Sequence, residues 1–327
     1  MGKDNRKWSL LEQPGNSTKG FLVVCPKCGE IGRLYYSVKI GWYIKHGKHR
    51  THYVRDGEAL EVPLHNPRLN IVRYMGGDSF LLPYLARMIP PHECYVEVFG
   101  GSAPLLLNKP PSKVEIYNDL DGDLFNLFKV VRERLDEFLK KTEWLLVSRQ
   151  QYYDFLRRFH EIKDPVERAV AYWYMMKLTY AGKFGGGLGF GPKRNYAKDM
   201  RNALKKLKLV HRRLMNVMIE QLDFREILKR YDTKTTFFYL DPPHLYLSTE
   251  SERGKDYYKQ GGFTDKDYMD MLNLLDRLKG KWLLKQSVNI PWLLEWAKKR
   301  GYFIRTLRLK KFARPNPRAK SLSLIHI

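Results

Sequence analysis

Only three cysteines occur among 327 residues. That is too few for the disulfide frameworks of small secreted domains, so a reducing compartment is expected. No stretch approaches the roughly 20 consecutive apolar residues that a membrane-spanning helix needs, and no membrane association is expected. The opening MGKDNRKWSLLEQPGNS lacks the apolar core of a secretory signal. Together these absences predict a cytoplasmic protein. Acids are scarce too: 35 Asp and Glu stand against 59 Lys and Arg, a formal charge of +24. A chain this basic displaces counterions from phosphates, which makes nucleic acid the expected partner. The glycine-rich YAGKFGGGLGFGPKRN is not followed by Gly-Lys-Ser/Thr, which excludes a phosphate-cradling P-loop. No internal repeat is visible.

A composition that is 43% hydrophobic can bury a core, and the apolar positions fall into a succession of patterns. Residues 1–20 read as an arm. Residues 21–56 alternate apolar and polar between Gly/Lys-rich turns and predict a β-meander, followed by a linker over 57–70. From residue 80 onward short helices and strands alternate, as in a largely parallel sheet. Strands are predicted at 94–99, 113–118, 216–220, 236–240, 281–287 and 302–307. Helices are predicted at 80–89, from about 103, at 122–139, 270–278 and 291–299. Residues 141–214 read as mostly helical and basic, with Asp164 as an N-cap before Pro165 and an apolar face of Val166, Val170, Trp173 and Met176. The closing SLSLIHI has no evident partner in the pattern. The resulting division is an N-terminal β module (1–65), an α/β half (66–140), a helical insert (141–214) and a second α/β half (215–315).

The stretch TFFYLDPPHLYLST, residues 236–249, combines a strand with an abrupt stop. Two prolines cannot continue a sheet ladder, so the chain turns away directly after Asp241. A carboxylate and rigid backbone carbonyls are thereby set at the C-terminal end of a predicted parallel strand, where ligands of open α/β sheets bind. The chemistry that suits such a group is alkylation of an exocyclic amine. The lone pair of such an amine is delocalised into the nucleobase ring. A carboxylate and a carbonyl that accept its hydrogens draw it out, and a flat side chain stacks on the base. A second stretch, YVEVFGGSAPLLL, runs from a strand through Gly100-Gly101 into a helix, with Asp119 closing the next strand about 20 residues on. That spacing suits a backbone approached by a cofactor and a carboxylate that accepts ribose hydroxyls.

Four segments in this order resemble the Dam-like DNA adenine-N6 methyltransferases: RYMGGDSFLLPYL (73–85), EVFGGSAPLLLN with YNDLDGDLFNLFKVV (97–131), IEQLDFREIL (219–228) and YLDPPH (239–244). The glycine-rich 180–195 segment more loosely resembles the hairpin of that family's DNA-recognition insert. The resemblance covers about 70–310. It implies a Rossmann-like α/β methyltransferase sheet with a helical DNA-recognition insert, S-adenosylmethionine as cofactor, and methylation of adenine N6 in flipped bases of double-stranded DNA. It assigns Asp241, Pro242 and His244 to catalysis. Tyr74, Gly76, Gly77, Phe99, Gly100, Asp119, Asp223 and Phe224 fall to the cofactor. A restriction endonuclease is a candidate partner. Two positions depart from the family: Asp78 stands where lysine is usual, and His244 where tyrosine is usual. They keep open a DNA-binding protein with impaired catalysis, and methylation of a cytosine amine or of RNA is the enzymatic alternative.

Two further groups stand apart. Cys25-Pro-Lys-Cys28 has the spacing of half a zinc site, and His46, His49 and His52 follow on the meander, so a structural zinc held by Cys25, Cys28 and two histidines is one reading. For DNA contact the candidates are Phe184, Lys193 and Arg194 in the glycine-rich loop and Lys205, Lys206, Lys208, Arg212 and Arg213 on the basic helix.

Overall fold

The computed structural model describes residues 21–25, 27–28, 31–37, 41–46, 50–53, 60–61, 68–72, 81–182, 184–243, 263–287, 290–309 and 320–326. The chain forms two compact units. One comprises residues 1–66, 78–89 and 108–110, and the other comprises the remainder.

The smaller unit carries an antiparallel sheet of β1 (Phe21–Val24), β2 (Ile31–Ser37), β3 (Gly41–His46), β4 (Arg50–Tyr53) and β5 (Leu60–Glu61), in the order β4-β3-β2-β1-β5. Leu34 lies opposite Ile44, and both are buried, while Arg33 opposite Lys45 is exposed. That is the alternation the sequence predicts for a half-buried sheet. β5 corrects the expected linker: two of its residues pair with Val23 and Val24. The helix α1 (Leu82–Met88) belongs to this unit, with proline in its first turn.

In the larger unit the chain runs β6 (Cys94–Glu97), α2 (Pro104–Asn108), β7 (Val114–Asn118), α3 (Gly122–Glu133), α4 (Leu135–Glu143), α5 (Arg149–Arg158), α6 (Pro165–Leu178), α7 (Tyr196–Leu214), β8 (Val217–Glu220), α8 (Phe224–Arg230), β9 (Thr236–Leu240), α9 (Asp265–Leu275), β10 (Lys281–Ser287), α10 (Pro291–Lys299), β11 (Phe303–Leu309) and β12 (Lys320–His326). The sheet order is β11-β12-β10-β9-β6-β7-β8. β6 through β10 pair in parallel, and β12 runs antiparallel between β10 and β11. Residues 321–326 of the closing SLSLIHI therefore have a partner on each side. Their period-2 pattern is a strand's, but their neighbours come from far apart in sequence, so local reading could not supply them.

Three other expectations shift. The single helix predicted over 122–139 breaks at Arg134, which leaves helical geometry (φ −134°). Its guanidinium forks onto Glu137 at 2.6 and 2.7 Å, bracing the first turn of α4. α8, just before β9, was not anticipated as a helix; Asp223 caps it by accepting from the Arg225 N–H. In α6 burial extends all round rather than along one stripe, taking in Tyr172, Tyr174 and Met175 as well as Trp173. The Trp173 indole N–H is satisfied by the Ile71 carbonyl at 3.0 Å. Asp164 caps this helix ahead of Pro165, accepting from the Glu167 N–H.

Every residue of β9 is buried. A strand covered on both faces is what an uninterrupted apolar run encodes, and burying Phe237 or Phe238 contributes about 2–3 kcal/mol each. Among the described residues no helix is long and apolar enough to cross a membrane.

Candidate active site at the sheet switch point

β6 lies between β7 and β9, and the chain reaches β7 and β8 on one side before returning to β9 on the other. The topological switch therefore lies between β6 and β9, where loops diverge and leave a crevice at the C-terminal ends. Both sequence motifs sit there. Glu97 of β6 is paired with Tyr239 of β9, and the ladder continues with the Val98 N–H donating to the Tyr239 carbonyl at 3.0 Å. Beyond it come Gly100-Gly101 on one strand and Asp241-Pro242-Pro243 on the other.

The glycine turn is built by close approach. A Cβ on Gly100 would lie 2.2 Å from the Tyr117 ring and 2.9 Å from the Asn118 carbonyl. Gly101 and Ala103 both take positive φ, at 52° and 49°. The Gly101 N–H donates to Asp119 Oδ2 at 2.7 Å, and its carbonyl accepts from the Tyr117 hydroxyl at 2.9 Å. Asp119 Oδ1 accepts from the Asp121 N–H at 2.8 Å. Burial pushes the Asp119 carboxyl up to about 6, against the pull of those two backbone donors. Asn118, fully buried, ties three loops together. Its amide donates to the carbonyls of Val98 and Leu222 at 2.9 and 3.0 Å, and its oxygen accepts from the Leu222 N–H at 2.9 Å. Sequence reasoning passed over Asn118, although an amide beside the strand-end acid was there to be asked about.

Asp223 and Phe224 open α8 on the same edge. Phe224 is buried in the hydrophobic core, its ring 5.8 Å from that of Phe99, and Phe263 closes a triangle of rings at 5.3 and 5.4 Å. The Arg225 guanidinium lies 4.3 Å from the Phe224 ring centroid and pairs with Asp223, Asp267 and Asp270.

At the end of β9, Asp241 meets a group the motif does not contain. The Lys285 ammonium, on β10, lies 2.5 Å from Asp241 Oδ2, and the lysine side chain is only 2% exposed. A lysine in the apolar run KWLLKQS, two residues in phase beyond Leu283, was the available signal for an inward charge. Tyr268 of α9 donates its hydroxyl to the Pro243 carbonyl and accepts from the Gln286 amide, so the proline turn is held from the helix side. Tyr74, Gly76, Gly77, Asp78 and His244 lie outside the described residues.

In the helical insert, the chain turns back through an isolated bridge between Thr179 and Leu188. Phe184 is half-buried, its ring 4.9 Å from Phe159 and 5.7 Å from Tyr172, and these contacts anchor the loop to the insert. Lys193 and Arg194 are exposed in the turn that follows, and Arg194 pairs with Asp199. On α7, Lys205, Lys208 and Arg212 are exposed and Lys206 is half-buried. Arg213 departs from expectation: its side chain is only 9% exposed, forks onto Glu115 at 2.5 and 2.8 Å and donates to the Leu106 carbonyl at 2.7 Å. It is committed to packing α7 on the sheet, because Glu115 in mid-strand needs a buried counter-charge.

In the smaller unit the donor atoms of Cys25, Cys28, His46 and His52 all lie within 4.8 Å of one another. Cys25 Sγ is 3.2 Å from His52 Nδ1, and Cys28 Sγ is 3.7 Å from His46 Nε2. This cluster can hold a metal ion. His49 lies outside the described residues.

A sheet with this switch point, a glycine turn backed by a strand-end acid, and Asp-Pro-Pro closing the adjacent strand define a Rossmann-like methyltransferase fold. The profile of the D12 class N6 adenine-specific DNA methyltransferases matches residues 74–308, and the chain belongs to that family. It is 27% identical over 183 residues to the DNA adenine methylase of Salmonella typhi, covering 54% of this chain and 65% of that one. The DNA adenine methylase of Escherichia coli K12 is 33% identical over 115 residues, 34% of this chain and 41% of that one. The type II methyltransferase M.MjaIII of Methanocaldococcus jannaschii is 27% identical over 246 residues, 67% of this chain and 84% of that one. The matches thus span less than two thirds of the two DNA adenine methylases.

Proposed function

We propose that this chain transfers a methyl group from S-adenosylmethionine to N6 of adenine in double-stranded DNA, with the target base turned out of the helix. The observation that carries this reading is Asp241 at the end of β9, beside the glycine turn that ends β6, at the one edge where the sheet parts. Asp241 accepts one hydrogen of the amine and the Pro242 carbonyl the other, which turns the nitrogen lone pair outward. Lys285 fixes one carboxylate oxygen and leaves the other for the amine. Tyr268 stiffens the turn through the Pro243 carbonyl. His244 is assigned the stacking face for the base. The nitrogen becomes cationic on methylation and releases its surplus proton to water.

The residues present fit the cofactor. Asp119 uses one lone pair of each oxygen on the backbone, and the remaining pairs suit two ribose hydroxyls. Its desolvated carboxylate gains from further donors. Half-buried Phe99, backed by the buried Phe224, offers aromatic surface for an adenine, with Asp223 beside them, and Tyr74, Gly76 and Gly77 are proposed for the same site. S-adenosylmethionine supplies the electrophilic methyl group when bound. The test is transfer of labelled methyl to duplex DNA, followed by digestion to nucleosides. Label in N6-methyladenine is expected. Label on cytosine, label on RNA alone, or none sinks the proposal.

The cysteine–histidine cluster is proposed to hold structural zinc. Tetrahedral zinc with bonds of about 2.0–2.3 Å sets its donors roughly 3.3–3.8 Å apart, and the 3.2 and 3.7 Å separations lie close to that range. A sheet this small has little core of its own, and metal binding supplies the missing folding energy. Metal analysis of the purified chain should find one zinc, lost in Cys25→Ser with Cys28→Ser. A full chain without zinc removes the assignment.

A further inference from the structure

Asn70, the end of α6, Arg194 and residues 196–209 of α7 line a half-open cavity of about 580 Å³. Lys177, Arg194, Lys205 and Lys206 line it, against a single acid, Asp199, which is taken up by Arg194. Lys177 donates to the Asn70 side-chain oxygen at 3.0 Å and lies 6.0 Å from the Trp173 ring centroid. Lys206 donates to the Arg68 carbonyl at 3.2 Å. Among the described residues neither lysine has an acidic partner. Two ammonium groups facing one hollow with only neutral acceptors repel each other, and an anion with several oxygens would relieve both.

We infer that this hollow seats one backbone phosphate of the DNA, held between Lys177 and Lys206. The inference rests on the reading of DNA as substrate. The cavity's position agrees with it, because Lys177 lies two residues before Thr179, which closes the base of the 179–188 turn. A consequence distinguishes this seat from surface lysines in general. Burial, and then the neighbouring Lys206, pull the Lys177 ammonium down to about 7. A phosphate favours the charged form, so DNA binding takes up part of a proton here. Affinity is full below that value and falls as pH rises through it. The groups facing Lys177 are Lys205 and Lys206 of α7, Arg194 with its partner Asp199, and the neutral Asn70 and Tyr196.

The experiment measures duplex affinity of the full chain from pH 6 to 9 at fixed ionic strength. Wild type should weaken about tenfold across the range. Lys177→Arg, always charged, should hold its acid-side affinity throughout. Lys177→Met should be weak and flat, and at pH 6 its log–log salt slope should be lower by about one. Lys206→Met, on the opposite wall, should also weaken binding. Wild-type affinity and pH course in both Met variants would overturn the seat. So would inorganic phosphate or a nucleoside monophosphate binding more tightly than the duplex in a Lys177-dependent manner, which would make it a small-molecule site. Methyl transfer is followed in parallel. Lys177-dependent DNA binding without methyl transfer breaks the proposed reaction and leaves the seat standing, and the converse breaks the seat alone.

Discussion

The sheet edge and the helical insert solve different problems with different materials. At the edge a few groups are each held by several others: Asn118 joins three loops, Asp119 spans the glycine turn and the start of α3, and Asp241 is pinned by a buried lysine. On α7, Lys208 and Arg212 are exposed, Lys205 and Lys206 line an open hollow, and Arg213 is tied to the buried Glu115. Geometry that must be right to a fraction of an ångström is bought with buried hydrogen bonds, whereas affinity for a polyanion accumulates from many replaceable charges. Substitutions at the edge should therefore remove a reaction, and substitutions on α7 should only adjust an equilibrium.

The sharpest break of that contrast is Asp241→Ala. The proposed chemistry hangs on one carboxylate, so methyl transfer should fall by roughly three orders of magnitude or more, with duplex affinity within a few-fold of wild type. Methyl transfer at the wild-type rate would remove Asp241 from the reaction. Lys285→Met should follow with a drop of about 10–100-fold in kcat, because it leaves a carboxylate oxygen unpositioned. KM for the cofactor should stay put, and Lys285→Arg should restore part of the rate. A change in KM alone would mean that Lys285 serves the cofactor instead.

Much of the edge could be read along the chain because its signals are local. Asp-Pro-Pro stops a strand wherever it occurs, and a glycine pair directly after an apolar strand marks a turn. The order of motifs then carried the family. What escaped were groups whose partners are distant in sequence: Lys285 meets Asp241 across the sheet, Phe263 meets Phe99, and β12 inserts between β10 and β11. The basic helix misled in one respect. Its charges read alike in sequence, yet Arg213 faces Glu115 in the core while Arg212, one residue earlier, is exposed, a difference of about 100° around the helix.

A smaller effect should separate the two regions by pH. With its carboxyl raised to about 6, Asp119 is fully ionised only above that value. If it accepts ribose hydroxyls, the charged form is the binding form, so cofactor affinity should be full above pH 6 and fall by up to about tenfold per unit below it. Calorimetry with S-adenosylmethionine between pH 5 and 8 would show this limb, and Asp119→Asn should bind weakly and without it. A limb that survives in the Asn variant belongs to another group.

The smallest effect tests the insert. Lys208 is exposed on α7 and stands outside the cavity lined by Lys177 and Lys206. Removing it should cost what one solvated phosphate contact costs: a few-fold in duplex affinity at low salt, less at high salt, and about one unit of the log–log slope. Methylation at saturating DNA should not change. Arg213→Ala is the control on the same helix, since it strips a buried glutamate of its partner and should lower the thermal midpoint before it alters any salt slope. A Lys208→Ala variant that binds with unchanged slope would place this face of α7 away from the DNA. A variant that loses methyl transfer at saturation would show that the insert shapes the reaction as well as the affinity.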